Sequence, residues 1–101
     1  MERVHLRIHG IVQGVGFRPF IHKLVGSYGL TGYIKNTSSG VELELEGERT
    51  ELERFVHDVP ERAPKLAVIE SVEAEYSTAL KGFEGFEIRS SKQEAHRNTL
   101  I

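Results

Sequence analysis

The sequence has no cysteine among its 101 residues, which excludes a disulfide framework, a thiolate nucleophile and a zinc site of the cysteine type. Packing alone must hold the fold. Long apolar runs are also missing. With 39% apolar and 28% charged residues the chain sits in the ordinary globular range, and no run approaches the length that spans a bilayer. An excess of positive charge is absent too. The formal net charge is −2, so nothing recommends a nucleic acid partner, which demands a concentrated basic face. The first residues, Met1 to Arg7, pass into charged alternation instead of an apolar signal core. No secretion signal is read there, and the cytoplasm is the expected compartment. A chain of this length builds one core, so one fold carries everything.

What is present is periodic. Val4, Leu6 and Ile8 alternate with His5, Arg7 and His9, predicting a first strand from Val4 to Val12 with one face buried. Phe17, Phe20, Ile21, Leu24, Val25 and Tyr28 then fall on one helical face, with Pro19 in the first turn and Gly29 as the stop. Leu30 to Lys35 reads as a second strand, and Asn36 to Gly40 as a turn. In the third strand Val41, Leu43 and Leu45 alternate with Glu42, Glu44 and Glu46, the glutamates being expected on a solvated sheet face. Leu52, Phe55, Val56 and Val59 predict a second helix, with Thr50 as a candidate N-cap and Pro60 and Pro64 closing it. Val68 to Tyr76 and Phe83 to Arg89 complete the strands, joined by the connector Lys81-Gly82.

The order is βαββαβ with room for an extra edge strand. It predicts an α+β, ferredoxin-like two-layer sandwich: an antiparallel sheet with two helices on one face. Residues 1–90 are expected to form this domain. Residues 91–101 are polar and aperiodic, expected as a tail or the start of a truncated following region.

Chemistry concentrates between the first strand and the first helix. Gly10, Gly14 and Gly16 permit backbone N–H groups to point inward around an anion. The loop runs into a helix N-terminus, whose dipole favours negative charge, and Arg18 adds a permanently charged fork at that junction. Spacing alone balances this phosphate cradle evenly against a tight strand-to-helix turn beside a solvated arginine. A Walker loop needs Lys-Ser/Thr where Phe17-Arg18 follows Gly16, and the dinucleotide pattern fails because Pro19 stands where its third glycine belongs.

The segments GIVQGVGFRPF and GYIKNTSSG together resemble the paired signature of the acylphosphatase family, a G-x-V-Q-G-V-x-F-R loop and a G-x-[VI]-x-N strand end. The resemblance extends over nearly the whole chain. It implies metal-free, cofactor-free hydrolysis of a carboxylic-phosphoric anhydride. The amides of Gln13, Gly14, Val15, Gly16, Phe17 and Arg18 would hold the phosphoryl group with the Arg18 guanidinium, and Asn36 would position the attacking water. Without the family motif, Asn36 reads as a turn residue capping the hairpin. Arg18-Pro19-Phe20 is further similar to the N-terminal domain of the carbamoyltransferases that mature nickel-iron hydrogenases. That likeness implies carbamoyl phosphate as substrate and downstream domains of a larger polypeptide as partners. The alternatives are a free-standing acylphosphatase, or a phosphate-binding docking module with little turnover. Inorganic phosphate is a ligand on each reading, with neither nucleic acid nor membrane as partner.

Other constellations are weaker. His5 and His9 share a strand face but have no third ligand beside them, so they read as surface histidines, as do His22, His57 and His96. Ferredoxin-like sheets include RNA readers that stack bases on exposed aromatics. The expected aromatic motif and basic surface are absent from this sequence.

Overall fold

In the computed structural model, alternation and helical periodicity become seven elements described over residues 1–89. They are β1 (Glu2–Ile11), α1 (Phe17–Tyr28), β2 (Thr31–Asn36), β3 (Gly40–Gly47), α2 (Arg49–Arg62), β4 (Val68–Ser77) and β5 (Phe86–Arg89). The sheet order is β4-β1-β3-β2-β5. β1 pairs antiparallel with β3 and β4, and β2 antiparallel with β3, which is the expected ferredoxin-like body. The extra edge strand is β5, added parallel to β2. The tail expected at 91–101 lies outside the described residues.

Val4, Leu6 and Ile8 of β1 stand opposite Leu45, Leu43 and Val41 of β3. This apolar face packs on Phe17, Ile21, Leu24 and Val25 of α1 and on Leu52, Phe55 and Val59 of α2. Both helices therefore lie on one side of the sheet. Full burial of each large apolar side chain contributes about 1.5–3 kcal/mol, which is how a cysteine-free chain of this size holds together.

The helix ends follow local chemistry. α1 stops at Gly29, whose φ of 63° is left-handed, and the Gly29 and Leu30 N–H groups close on Gly26 O and Val25 O. α2 corrects two expectations. Its N-cap is Glu48, in extended conformation and without a side-chain cap bond, so Thr50 lies inside the first turn. Arg49 holds that turn instead, reaching Glu2 and Glu53 at 2.8 Å each. Pro60 lies within the helix, which runs on to Arg62. Pro64 supplies the stop: the residue before a proline is driven out of the helical region, and Ala63 is extended with ψ 151°.

The other sheet face departs from the expected wet surface. Glu44 and Glu46 are only 7% and 3% exposed, because the β4–β5 connector folds back over them. The Glu46 carboxylate accepts backbone N–H bonds from Lys81, from Gly82 at 3.2 Å and from Phe83 at 3.3 Å. Glu44 pairs with Lys81 Nζ at 2.9 Å and Arg3 at 3.3 Å. Glu42 pairs with His5 at 2.5 Å and Lys35 at 3.5 Å. Phe83 packs edge-on against Tyr33 at 5.9 Å, so it belongs to the connector and the last strand begins at Phe86.

Candidate active site

β1 and β2 flank β3 and are both antiparallel to it. They consequently run parallel to each other, and their C-terminal ends emerge at the same edge of the sheet, two inter-strand spacings or roughly 10 Å apart. The glycine loop follows β1 and Asn36 ends β2. Topology thus brings the two motifs together from opposite sides of Gly40.

Gly10 begins the departure from the sheet. The β1–β4 register shifts between His9 and Gly10, and the Gly10 N–H bonds Ser39 O at 3.0 Å. A Cβ at this position would lie 2.0 Å from Val68 O, so only glycine admits the approach. Val12 and Phe17, each 1% exposed, pin the loop ends into the core, while Gln13, Gly14 and Gly16 are exposed between them. Gly14 and Gly16 have φ of 75° and 79°, and among the described residues no atom beyond the two flanking residues lies within 4 Å of where a Cβ would stand at either. Their requirement is therefore conformational, not steric: left-handed backbone turns successive N–H groups toward one side.

Gly16 is also the N-cap of α1, with no side-chain cap bond and no acidic residue in the first turn. The first N–H groups of a helix have no intrahelical acceptor. Pro19, in the first turn, has no N–H to satisfy, and Phe20 N–H already bonds Gly16 O at 3.2 Å. Phe17 and Arg18 thus offer donors at the positive end of the helix dipole. Arg18 is half-buried there and makes no ion pair among the described residues. Arg3, Arg49, Arg54 and Arg89 are all engaged with carboxylates.

Asn36 pairs with Val41 across the hairpin and faces the core side of β2, as does Ile34 opposite Leu43. Its Oδ1 is buried and has no hydrogen-bond partner among the described residues. A buried amide oxygen without a partner costs about 1–3 kcal/mol. The next residue closes the turn, Thr37 N–H bonding Gly40 O at 2.9 Å.

The predicted residues Gln13, Gly14, Val15, Gly16, Phe17 and Arg18 form one continuous turn into α1, with Asn36 at the end of β2, one strand beyond β3. Phe17 has its side chain in the core, and Val15 packs against it, leaving these two only backbone groups to offer. Sequence reasoning missed the Gln13 side chain, whose Nε2 donates to Thr37 O at 2.9 Å and Gly40 O at 3.0 Å. His5 and His9 do share the outer face, but they meet acids and a hydroxyl: His5 lies between Glu42 and Glu75, and His9 between Ser39 and Glu73. Among the described residues no three His, Cys, Asp or Glu side chains gather as a metal site, and no helix is long and apolar enough to cross a membrane.

A family model described as acylphosphatase matches residues 4–88. An acylphosphatase from Salinibacter ruber is 43% identical over 89 residues, covering 87% of this chain and 93% of its own length. A probable carbamoyltransferase HypF from Methanocaldococcus jannaschii is 34% identical over 90 residues, which cover 89% of this chain. The chain spans only 12% of that relative's length. The crystal structure of acylphosphatase from Bacillus subtilis superposes with a TM-score of 0.83 at 30% identity, covering 88% of this chain and 99% of that one. Loop, strand end, sheet order and relatives agree, and the chain belongs to the acylphosphatase family of hydrolases.

Proposed function

We propose that this chain hydrolyses acyl phosphates without a metal and that carbamoyl phosphate is its substrate. The observation that carries the reading is the buried, unpartnered Asn36 Oδ1, set at the sheet edge where the left-handed glycines open the helix N-terminus. The amides of Gln13 to Arg18 and the Arg18 guanidinium hold the phosphoryl oxygens and take up charge as it shifts in the transition state. Asn36 Oδ1 accepts a hydrogen bond from water and aims its oxygen in line with the scissile bond. The water oxygen bonds phosphorus as the bond from phosphorus to the acyl oxygen breaks. The proton passes to a phosphoryl oxygen, and the carboxylate departs, as carbamate for carbamoyl phosphate. Phosphoryl transfer to a good leaving group needs positioning and charge stabilisation more than a strong base.

The carbamoyl assignment rests on Arg18-Pro19-Phe20 and the carbamoyltransferase relatives. It makes residues 1–90 the N-terminal acylphosphatase-like domain of a larger cytoplasmic polypeptide, which passes carbamate to downstream domains. Phosphate release from carbamoyl phosphate and acetyl phosphate tests the reading. Arg18→Ala and Asn36→Ala are each expected to lower kcat by about 10²–10³-fold, the cost of removing one positioned stabilising group. Equal turnover in both variants and the unsubstituted chain would overturn it. A second reading, a phosphate-binding docking module with little turnover, is favoured by the 12% coverage of the longer relatives. Phosphate binding at the loop with undetectable hydrolysis would select it.

A further inference from the structure

We infer that the Gln13 side chain is a positioning residue that sets the distance between the phosphate loop and Asn36, an inference that rests on the hydrolytic reading above. The loop follows β1 and Asn36 ends β2, with β3 between the two strands, and the backbone joins loop to hairpin at its start, where Gly10 N–H bonds Ser39 O, leaving the segment from Gln13 onward to side-chain contacts. Gln13 spans that gap. Its Nε2 carries two hydrogens, and both are committed: one to Thr37 O at 2.9 Å, one to Gly40 O at 3.0 Å. These two carbonyls bracket the turn that begins immediately after Asn36. Gly40 O also accepts the Thr37 N–H at 2.9 Å, so the strut grips the bond that closes the turn.

Chemistry argues that an amide is required. Two carbonyl acceptors converge on one nitrogen, a task for an NH₂ group and impossible for a carboxylate. A glutamate at position 13 would set its negative charge against both carbonyls and against the bound phosphate. Burial argues that the strut is not a core element: Gln13 is exposed, and the hairpin is independently tied to β1 through Gly10 N–H to Ser39 O at 3.0 Å. Losing the strut therefore leaves the fold standing while the hairpin end gains freedom relative to the cradle. Misplacing a positioning group by about 1 Å costs up to roughly 10²-fold in rate.

The test is a double-mutant cycle on the full chain, with acetyl phosphate as substrate and inorganic phosphate as competitive inhibitor. Gln13→Ala and Gln13→Glu are each expected to lower kcat, Gln13→Ala by about 10- to 100-fold. In Gln13→Ala the inhibition constant for phosphate should change less than threefold, because cradle and Arg18 are intact. In an Asn36→Ala background the same Gln13→Ala change should have almost no further effect, since the group it positions is gone. Full additivity of the two substitutions, or an equal loss of phosphate binding and kcat in Gln13→Ala, overturns the inference while leaving the hydrolytic reading intact. Absence of turnover in the unsubstituted chain overturns both. Thermal unfolding of each variant, with a midpoint above the assay temperature, establishes that the kinetic losses come from folded protein.

Discussion

Replacing Glu46 by alanine should destabilise the protein far more than a strand-surface glutamate normally would. The residue is 3% exposed, and its carboxylate receives the N–H groups of Lys81, Gly82 and Phe83, the last two at 3.2 and 3.3 Å. Hydrogen bonds to a charged acceptor are worth about 1.5–3 kcal/mol each. Two of these are long and fall at the low end, and alanine also recovers the cost of burying a charge. A net loss of about 3 kcal/mol remains, which for a domain of this size is a Tm lower by about 12–24 °C. Thermal unfolding followed by circular dichroism measures it, and Glu73→Ala, on an exposed position, is the control. Amide exchange should accelerate at Lys81, Gly82 and Phe83 in the Glu46→Ala protein. Glu46→Gln should fall between, because one oxygen still accepts while its NH₂ confronts the same donors. A Tm change below about 4 °C, the span of an ordinary surface substitution, would refute the clasp.

Stability should also narrow at both ends of the pH scale, measured as urea midpoints. Burial alone raises the Glu42 and Glu44 carboxyls, but bonds and charges outweigh it, from His5 and Lys35 on Glu42 and from Lys81 and Arg3 on Glu44, leaving both below 4.5. A depressed folded value gives stability that is present above the unfolded value and lost as pH falls through the folded one, so midpoints should drop below about pH 4.5 and drop less in Glu44→Gln. Tyr33 moves the other way, pushed up to about 12 by burial and then by Glu44 and Glu42. Its stabilisation is present below pH 10 and lost as pH rises through 12, a limb that Tyr33→Phe should remove. The glycines should separate by mechanism. Gly16→Ala meets no atom within 4 Å among the described residues beyond its chain neighbours and should cost about 1–2 kcal/mol for its left-handed φ. Gly40→Ala would set a Cβ 1.9 Å from Ile8 O and should yield no cooperatively folding protein by circular dichroism.

What was legible in the chain was what neighbouring residues decide among themselves. β1, α1 and β3 follow from periods of two and 3.6, and Gly29 from the left-handed stop it makes. The phosphate loop was half legible: its glycines allowed a cradle, but only the family pattern tied it to Asn36. The misreadings share one cause. Glu42, Glu44 and Glu46 alternate correctly, yet whether that face is wet depends on a connector some 35 residues further along the chain. Gln13 bonds carbonyls 24 and 27 residues away, and no local pattern carries that information. Thr50 lost its expected cap because the helix starts two residues earlier, at Arg49, which bridges to Glu2 of β1.

These long-range contacts are also what makes the site more than two motifs. Asn36 hangs from the end of β2, a six-residue strand that shares one edge with β3 and the other with β5. The connector leading to β5 is fastened on Glu46 and Glu44, and the Gly32 N–H bonds Gly85 O just before β5 at 2.8 Å. The buried acids on the outer face and the glycine loop at the sheet edge are thus mechanically linked through β2. One borders the strand laterally through β5; the other, through Gln13, holds the carbonyls of Thr37 and Gly40 in the turn just after its last residue. A phosphoryl group needs the attacking water in line to within a fraction of an ångström, and a single short strand at the side of a sheet does not supply that precision by itself. On the proposed hydrolytic reading, the carboxylate clasp and the amide strut are the contacts that would supply it, from the two sides that β3 leaves open.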